Sequence, residues 1–589
     1  MLEKLLGLEE SNTKDYSKAF TGDFETTTDP NDCRVWAYAL CSIEDLSFSY
    51  GNSIEAFFDY LSKLKYNAKI YFHNLKFDGE FIFYYLLNNG YKCIKDSKDK
   101  ETKSYTCLIS DMNQLYSIEV YFTVKGKRVH KVTFIDSLKI LNMSVDQIAK
   151  DFNLPISKLK LDYNKFREKN HILTQHEIDY IKNDVEIMAR ALRIMFDCNL
   201  TSGTIGSDAL NDYKEINKNF KKNYPVLDEK TDSDIRLSYR GGFTFLHKDY
   251  LESTTGEGLV LDVNSLYPSV MYNELLPYDS PVYFEGKYTE DKFYPLYVQS
   301  INCAFEIKEG YIPTIQIKKS PNYLFSPTEY LESSNGEIVT LVLTNIDLEL
   351  FLKHYDVEYL EYNDGYKFKG CRGLFSEYID KWINVKIESK KVKNGALYKI
   401  SKLMLNSLYG KFGLNPNVQS KYPILTDEGK VEYEFYEKEL RDPVYIPMAA
   451  FITSYARKKT ITTSQSIVDY TKKKYGKNLY VYSDTDSIHT LLTNEEELKS
   501  FVDIDDYKLG AWKIESKFIK GKYLRAKCYI ELSPDGVLNT TIAGLPKDLS
   551  DKINFDNFKF GTSFFGKKIP KHVKGGTVLI EDYFTIRRK

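Results

Sequence analysis

The chain has 589 residues, of which 28% are charged, with a formal net charge of −2. That length implies several domains with ample core, and the charge balance excludes a chain-wide basic field as the means of holding nucleic acid. Eight cysteines without a Cys-x-x-Cys pair argue against a zinc site and a disulfide framework, and there is no signal peptide, apolar run of membrane length or Gly-x-x-x-x-Gly-Lys-Ser/Thr phosphate loop, so a reducing cytoplasm is the expected compartment.

In chain order, Phe20-Thr-Gly-Asp23-Phe24-Glu25-Thr26 reads as a strand with two acids on one face. Tyr71-Phe-His73-Asn74-Leu-Lys-Phe77-Asp78-Gly79 adds an acid beside a turn glycine. Ile178-Asp179-Tyr180-Ile-Lys-Asn183-Asp184 adds another, with Tyr180 and Asp184 one helical turn apart. Scattered acids are usually solvated surface, and Asp356-Val-Glu358 repeats the Asp-x-Glu spacing without such company. Tyr239-Arg240-Gly241-Gly242-Phe243 carries paired glycines. Leu259-Val-Leu-Asp262 is an apolar strand that delivers one carboxylate and is expected to turn at Pro268.

Between Lys399 and Gly410, Leu403, Leu405 and Leu408 recur at helical spacing, with Gly410 as the expected stop. Lys402, Asn406 and Tyr409 then share one face. Such a stripe is usually solvated, yet a lysine, an amide and a phenol suit a triphosphate and a base. Tyr482-Ser483-Asp484-Thr485-Asp486-Ser487 lies between two strand-forming runs, so a tight hairpin would hold Asp484 and Asp486 at its tip. Like charges that close resist joint ionisation and call for a divalent cation. Asp232-Ser-Asp234 and Asp503-Ile-Asp505 share the spacing but lack strands on both sides. From Lys517 to Tyr529, Lys517, Lys520, Lys522, Arg525 and Lys527 are interleaved with Phe518, Tyr523 and Tyr529 and contain no acid. A basic track with aromatics suits phosphates and stacked bases, although one such track alone is more often a solvated face.

The motifs Asp-x-x-Ser-Leu-Tyr-Pro from Asp262, Lys-x-x-x-Asn-Ser-x-Tyr-Gly from Lys402 and Tyr-Ser-Asp-Thr-Asp-Ser from Tyr482 resemble, in that order, the polymerase motifs of family B DNA polymerases. The earlier Asp-x-Glu, Asn-x-x-x-Asp and Tyr-x-x-x-Asp resemble that family's 3′–5′ exonuclease motifs. At this length the chain is most similar to the protein-primed replicases of small tailed bacteriophages of the Bacillus-phage type. The similarity runs nearly end to end, and only about the first ten residues read as an unrelated extension.

This resemblance implies that Asp262 and Asp486 are the main ligands of two Mg²⁺ ions (Mn²⁺ able to substitute), with Asp484 and the Val263 carbonyl beside them. Mg²⁺ accepts a few carboxylates and completes its shell with water and phosphate oxygens. It implies that Lys386 and Lys402 bind the triphosphate, that Tyr267 excludes a 2′-hydroxyl, and that Asn406 and Tyr409 face the nucleotide and the nascent pair. In the exonuclease, Asp23, Glu25, Asp78 and Asp184 would hold two metals, Tyr180 would orient the attacking water and Lys158 would assist. Thr26, Tyr71, His73, Asn74, Phe77, Ser137, Leu138 and Tyr163 would grip the unpaired 3′ end. Tyr239, Gly241 and Gly242 would meet template phosphates, with Ser265 also on DNA. Thr453-Ser-Tyr-Ala-Arg457 is similar to the primer-contacting Thr-x-x-Gly-Arg motif, with alanine replacing glycine, and Lys527-Cys-Tyr529 is similar to the Lys-x-Tyr that holds the primer terminus.

The expected fold is multidomain, α/β and α+β: a ribonuclease H-like exonuclease over 1–208 and a right-hand polymerase over 209–589. The palm would span 209–272 and 443–543, the fingers 373–412 and the thumb 544–589. Two stretches exceed these parts and occupy the places of terminal-protein-region insertions: 273–372, including Gly310 to Ile317 and Thr344 to Glu349, and 415–442, strand-like from Val431 to Tyr436 with a turn at Asp427 to Gly429. The favoured reading is a monomeric, protein-primed replicative DNA polymerase with proofreading, strand displacement and high processivity, acting in the cytoplasm of an infected bacterium. Its partners would be template and primer DNA, dNTPs and a terminal protein. An oligonucleotide-primed enzyme leaves the insertions unexplained. A catalytically dead nucleic-acid-binding protein does not need the full set of acids, and a stand-alone nuclease does not need the Lys402 helix.

Overall fold

The computed structural model describes residues 2–6, 16, 18–316 and 330–588. Residues 317–329 of the first expected insertion and about half of the expected N-terminal extension therefore lie outside the described residues. From that extension, Leu2–Leu5 forms a short helix and Leu6 is buried.

The N-terminal part is built on a ten-stranded sheet. Its acid-bearing strand is Ala19–Thr26, third from one edge and flanked by Ala68–Phe72 in parallel and Val35–Ser42 antiparallel. Val35–Ser42 is buried at every position, as its run of Val, Trp, Ala, Tyr and Leu requires of a strand covered on both faces. The long helix Gln175–Asp197 packs on these strands, started by a capping box between Thr174 and Glu177. The sheet continues into residues from the second expected insertion. Ser420–Leu425 pairs with Ser104–Ser110, and Val431–Phe435 then forms the sheet's edge. The strand and turn expected there are present.

A five-stranded sheet forms a second centre, in the order Trp512–Phe518, Gly258–Val263, Ser487–Thr490, Tyr480–Asp484 and Thr244–Leu246. The 30-residue helix Ile446–Tyr475 supports it, buried on all sides from Ile446 to Ser454 and on one face from there to Thr471. Two further helices, Ser376–Lys391 and Gly395–Ser407, pack together, tied by the Tyr378 hydroxyl on the Met404 carbonyl at 2.8 Å. The residues of the first expected insertion make a four-stranded sheet with the helix Asn345–His354, and a separate core around Phe305, Leu343, Phe351 and Tyr355. At the C-terminal end, one hydrophobic core joins Leu524, Ile530 and Ile542 to Phe564, Phe584 and Ile586, running across residue 544.

The hairpin of Ser563–Val573 and Gly576–Thr585 reaches back to the N-terminal domain, where Val573 and Val578 enter the same core as Phe81 and Val431. Glu80 is the junction. It accepts the Tyr433 hydroxyl at 2.6 Å, and His572 Nδ1 stands 3.1 Å from its other oxygen. That second contact has ion-pair distance without hydrogen-bond alignment. Gly575, at φ +103°, sits so close to Cys33 that an added Cβ would lie 2.0 Å from the Cys33 carbonyl oxygen. The hairpin, the first domain and the 420–435 hairpin therefore meet at one junction.

Gly575→Val should undock the hairpin tip, since both the backbone conformation and the space exclude a side chain. Amide hydrogen exchange should rise around residues 33–35 and 572–578 and stay unchanged in the five-stranded sheet. Unchanged exchange at the tip would show that the contact does not hold the hairpin.

Candidate active sites

Strand register assembles the first site. Lys513 pairs with Asp262, Asp262 with Ser487, Ser487 with Asp484, and Asp484 with Thr244. Cross-strand partners share a face, so five side chains form a row across the sheet. Asp486 comes from the turn itself. Thr485 takes φ +60°, and the Asp486 carbonyl accepts the Val263 amide at 2.8 Å, which fastens the turn to the Asp262 strand. Burial, and then Asp262 and Asp484, push the Asp486 carboxyl up to about 6. Lys513 Nζ lies 3.1 Å from Asp262, and Lys527 Nζ lies 3.0 Å from both Asp484 oxygens. Thr244 and Tyr482 hydroxyls also reach Asp484, at 3.1 and 3.3 Å.

Above this row stand the two packed helices. Lys402 and Asn406 are exposed on Gly395–Ser407, and Lys386 projects from Ser376–Lys391. Burial, then the charges of Lys402 and Lys513, hold the Lys386 ammonium below the ordinary lysine range. Two details differ from the sequence reading. The helix breaks after Ser407, and Gly410 lies inside a second short helix, Tyr409–Phe412, instead of stopping the first. The chain after Asp262 turns at Ser265, at φ +57°, while Pro268 sits in the first turn of the helix Leu266–Asn273, where its missing N–H costs nothing. That turn brings Tyr267 onto Tyr409, with ring centroids 3.9 Å apart and planes at 21°.

The second site gathers Asp23 and Glu25 from the strand Ala19–Thr26, Asp78 from the helix Leu75–Asn88 and Asp184 from Gln175–Asp197. Burial, then Asp184, push the Asp23 carboxyl up to about 7. Burial, then Asp23, raise Glu25 and Asp78 further, and burial raises Asp184. One oxygen each of Asp78 and Asp184 is buried without a partner. Lys158 Nζ meets the other Asp184 oxygen at 2.7 Å, and the Tyr180 hydroxyl meets that of half-exposed Tyr163 at 2.5 Å. Among the described residues no three acid, His or Cys side chains form a ready-made cation cage. The fit to divalent cations rests instead on the orphaned oxygens here and the crowded, all-oxygen donor sets at both sites.

Around this second site Thr26, His73, Asn74, Phe77, Leu138 and Tyr163 keep some exposure. Tyr71 and Ser137 do not. Tyr71 is buried against Phe196, and Ser137 is buried with its hydroxyl on the Phe72 carbonyl at 3.0 Å. His73 bridges Ser137 Oγ and the Met143 carbonyl. Asp136, absent from the sequence reading, accepts the amides of Asn74, Leu75 and Leu138 on one oxygen and so joins the two loops that flank the acids.

Thr453 and Arg457 are likewise interior. Thr453 bonds the Ala449 and Ala450 carbonyls of its own helix. Arg457, 2% exposed, meets Asp347 at 2.5 Å and donates to the Arg240 and Gly241 carbonyls at 2.8 Å each. Its side chain clamps the Tyr239–Gly242 segment and is not free for a primer. Gly242 is required by that segment's approach to the catalytic turn, because a Cβ there would lie 2.6 Å from Thr485 Oγ1, whereas Gly241 faces open space. Tyr239 packs over Gly413. Tyr529 stacks near Tyr482 and Tyr523, beside the Lys527 amine. Lys513 and Asp347 were missed because nothing local marks them; only strand register and burial do.

Residues 61–503 match the family described as DNA polymerase type B, organellar and viral. The chain is 46% identical to the DNA polymerase of Bacillus phage M2, covering 97% of this chain and 100% of the relative. It is 35% identical to the DNA polymerase of Streptococcus phage Cp-1, over 96% of this chain and 98% of that one. Among solved structures, Phi29 DNA polymerase complexed with primer-template DNA and incoming nucleotide substrates is similar with a TM-score of 0.89 and 45% identity, over 97% of this chain and 100% of that one.

Asp347→Ala should leave the Arg457 and Arg240 guanidiniums buried without their carboxylate. Loss of one partner of such a pair costs about 3–5 kcal/mol, so the melting temperature should fall clearly. A melting temperature equal to the parent's would mean that Asp347 does not hold the clamp.

Proposed function

This chain belongs to the organellar and viral type B DNA polymerases, and from that premise we propose that it is a protein-primed replicative enzyme that proofreads its own product. The convergence of Asp262, Asp484 and Asp486 on one sheet face, beneath Lys386 and Lys402, is the observation that carries the reading. Divalent cations, Mg²⁺ with Mn²⁺ as a substitute, would sit on Asp262 and Asp486 with Asp484 beside them, and would supply charge to both the attacking and the leaving oxygen. Lys386 and Lys402 bind the triphosphate of the incoming dNTP. Tyr267, held against Tyr409, closes the space that a 2′-hydroxyl would need, and Asn406 and Tyr409 border the nascent pair. Lys527 and Tyr529 hold the primer terminus next to Asp484.

In the exonuclease, Asp23, Glu25, Asp78 and Asp184 are the residues that would hold cations, and the orphaned oxygens of Asp78 and Asp184 support this. Lys158 fixes Asp184, and the Tyr180 hydroxyl orients water once Tyr163 turns to the DNA. Thr26, Asn74, Phe77 and Leu138 line the path of the unpaired end.

The insertions point to the priming mode. The 273–372 segment has its own core beside the palm and offers a docking surface for a terminal protein whose hydroxyl replaces a primer 3′-OH. The 415–442 segment meets the C-terminal hairpin through Glu80, and a closed loop around the template supports processivity and displacement of the non-template strand. The relatives act in phages, so the proposed location is the cytoplasm of an infected bacterium.

Priming is tested by incubating the chain with Mg²⁺, labelled dNTP, template ends and the candidate terminal protein. A labelled nucleotide should become covalently attached to that protein, and a chain that extends oligonucleotides but never labels it would be an ordinary primed polymerase.

The two sites should separate by mutation. Asp484→Ala or Asp486→Ala should abolish nucleotide addition, by a factor of at least about 10³ if the charge clamp is lost, and leave degradation of single-stranded DNA nearly intact. Asp23→Ala with Asp78→Ala should do the reverse. A folded variant of either kind that lost both activities would refute the assignment of separate sites.

A further inference from the structure

The triphosphate-binding lysines of the reading above both come from the two helices over the sheet. The sheet itself carries a third ammonium into the same space. Lys513 is the cross-strand partner of Asp262, on the outer side of the row that runs through Ser487 and Asp484 to Thr244. Its position in the row fixes its face: it emerges with the carboxylates and cannot turn to the back of the sheet without a slip in register. Its side chain is about one-third exposed and its amine stands 3.1 Å from one Asp262 oxygen.

We propose that Lys513 is a third triphosphate-binding residue, which holds Asp262 in the absence of substrate and contacts phosphate oxygens when a dNTP or pyrophosphate occupies the site. The inference rests on the assignment of Lys386 and Lys402 to that site. Lys402 and Lys513 are the two charges that most disfavour the Lys386 ammonium after burial itself. Three ammoniums therefore face one space. Among the described residues, neither Lys386 nor Lys402 has an ion-pair partner, and Lys402 rests only over the Tyr398 ring, 5.8 Å from its centroid. The carboxylate that Lys513 touches, Asp262, is shared with the proposed cation sites. Such a concentration of positive charge is unfavourable until a polyanion enters, and a triphosphate carries enough charge to match it.

A simple counter-ion would satisfy Asp262 from any direction. Lys527 already serves Asp484 in that way, from the strand pair on the far side of the row. What distinguishes Lys513 is that it touches the acid and also acts on Lys386 of the helices. An amine there can exchange one carboxylate oxygen for a phosphate oxygen by a side-chain rotation, since a lysine ammonium is a point charge on a flexible stem. Pyrophosphate, the leaving product, would use the same contact.

The test uses the full chain on a primer-template, with Ca²⁺ supporting nucleotide binding without turnover. Lys513→Met and Lys513→Gln should bind the next correct dNTP about tenfold more weakly, the loss of one charge-assisted contact, while the affinity for primer-template is unchanged. Lys513→Arg should retain most of the affinity. In Mg²⁺ the dNTP KM should rise about tenfold with a smaller change in kcat, pyrophosphorolysis should need correspondingly more pyrophosphate, and digestion of single-stranded DNA should be unaffected. Lys402→Met is the control. If it weakens dNTP binding and both neutral Lys513 variants do not, Lys513 is only a counter-ion to Asp262 and the proposal is overturned. If neither position matters, the assignment of the triphosphate site itself fails.

Discussion

Like charges brought together in a low dielectric repel, and this fold brings its acids near enough at two places to raise one another's proton affinity. Asp262 and Asp484 share a sheet face because backbone register leaves them no other place, and the turn between the two strands sets Asp486 beside them. Asp23, Glu25, Asp78 and Asp184 converge from a strand and two helices into a buried pocket. Most of what surrounds each crowd is there to tolerate it. Lysines stand at both ends of the first and at one side of the second, hydroxyls of Thr244 and Tyr482 reach Asp484, and raised carboxyl affinities for protons take up the remainder. The neutralisation is incomplete by construction, since a site that were fully satisfied would have no affinity left for cations.

That cost requires a stiff frame, and the frame is nonlocal. The catalytic turn is pressed from behind by Gly242, whose segment is clamped by Arg457, which is itself fixed by Asp347 at the start of a helix in the first insertion. A segment that looks dispensable beside the palm thus supplies the carboxylate that orders the palm. The other insertion behaves similarly: its hairpin is the continuation of the exonuclease sheet, so it protects an edge that would otherwise be open to pairing.

The sequence made the local features legible. The strand-forming runs around Asp484 and Asp486, the Asp-x-Glu face, the helix spacing of Lys402 and Asn406 and the turn at Gly429 all depend on neighbours within a few positions, and all are where the pattern puts them. Pro268 misled because proline fits both a turn and a helix start, and the positive φ that makes the turn fell on Ser265, for which no residue signal exists. Thr453 and Arg457 were legible as residue types and not as environments, because burial is set by partners distant in sequence. The same holds for Tyr71 and Ser137. Asp136, Asp347 and Lys513 have no local pattern at all; each acquires its role from which strand or loop lies alongside.

The charge balance follows from this arrangement. A polymerase must hold a polyanion, yet the chain carries a net charge of only −2. Acids concentrated at the two sites offset basic residues that lie along the surfaces near them, so the average conceals a separation of charge over short distances. Within about a Debye length, roughly 8 Å at physiological ionic strength, the local sign is what a phosphate meets. Lys386, Lys402 and Lys513 on one side of Asp262 and the carboxylates on the other make that sign change within a single site. On the proposed assignment, that gradient would draw the phosphates of an entering nucleotide towards the lysines. Neutral composition is therefore no argument against a nucleic-acid enzyme, provided its acids are gathered where cations belong.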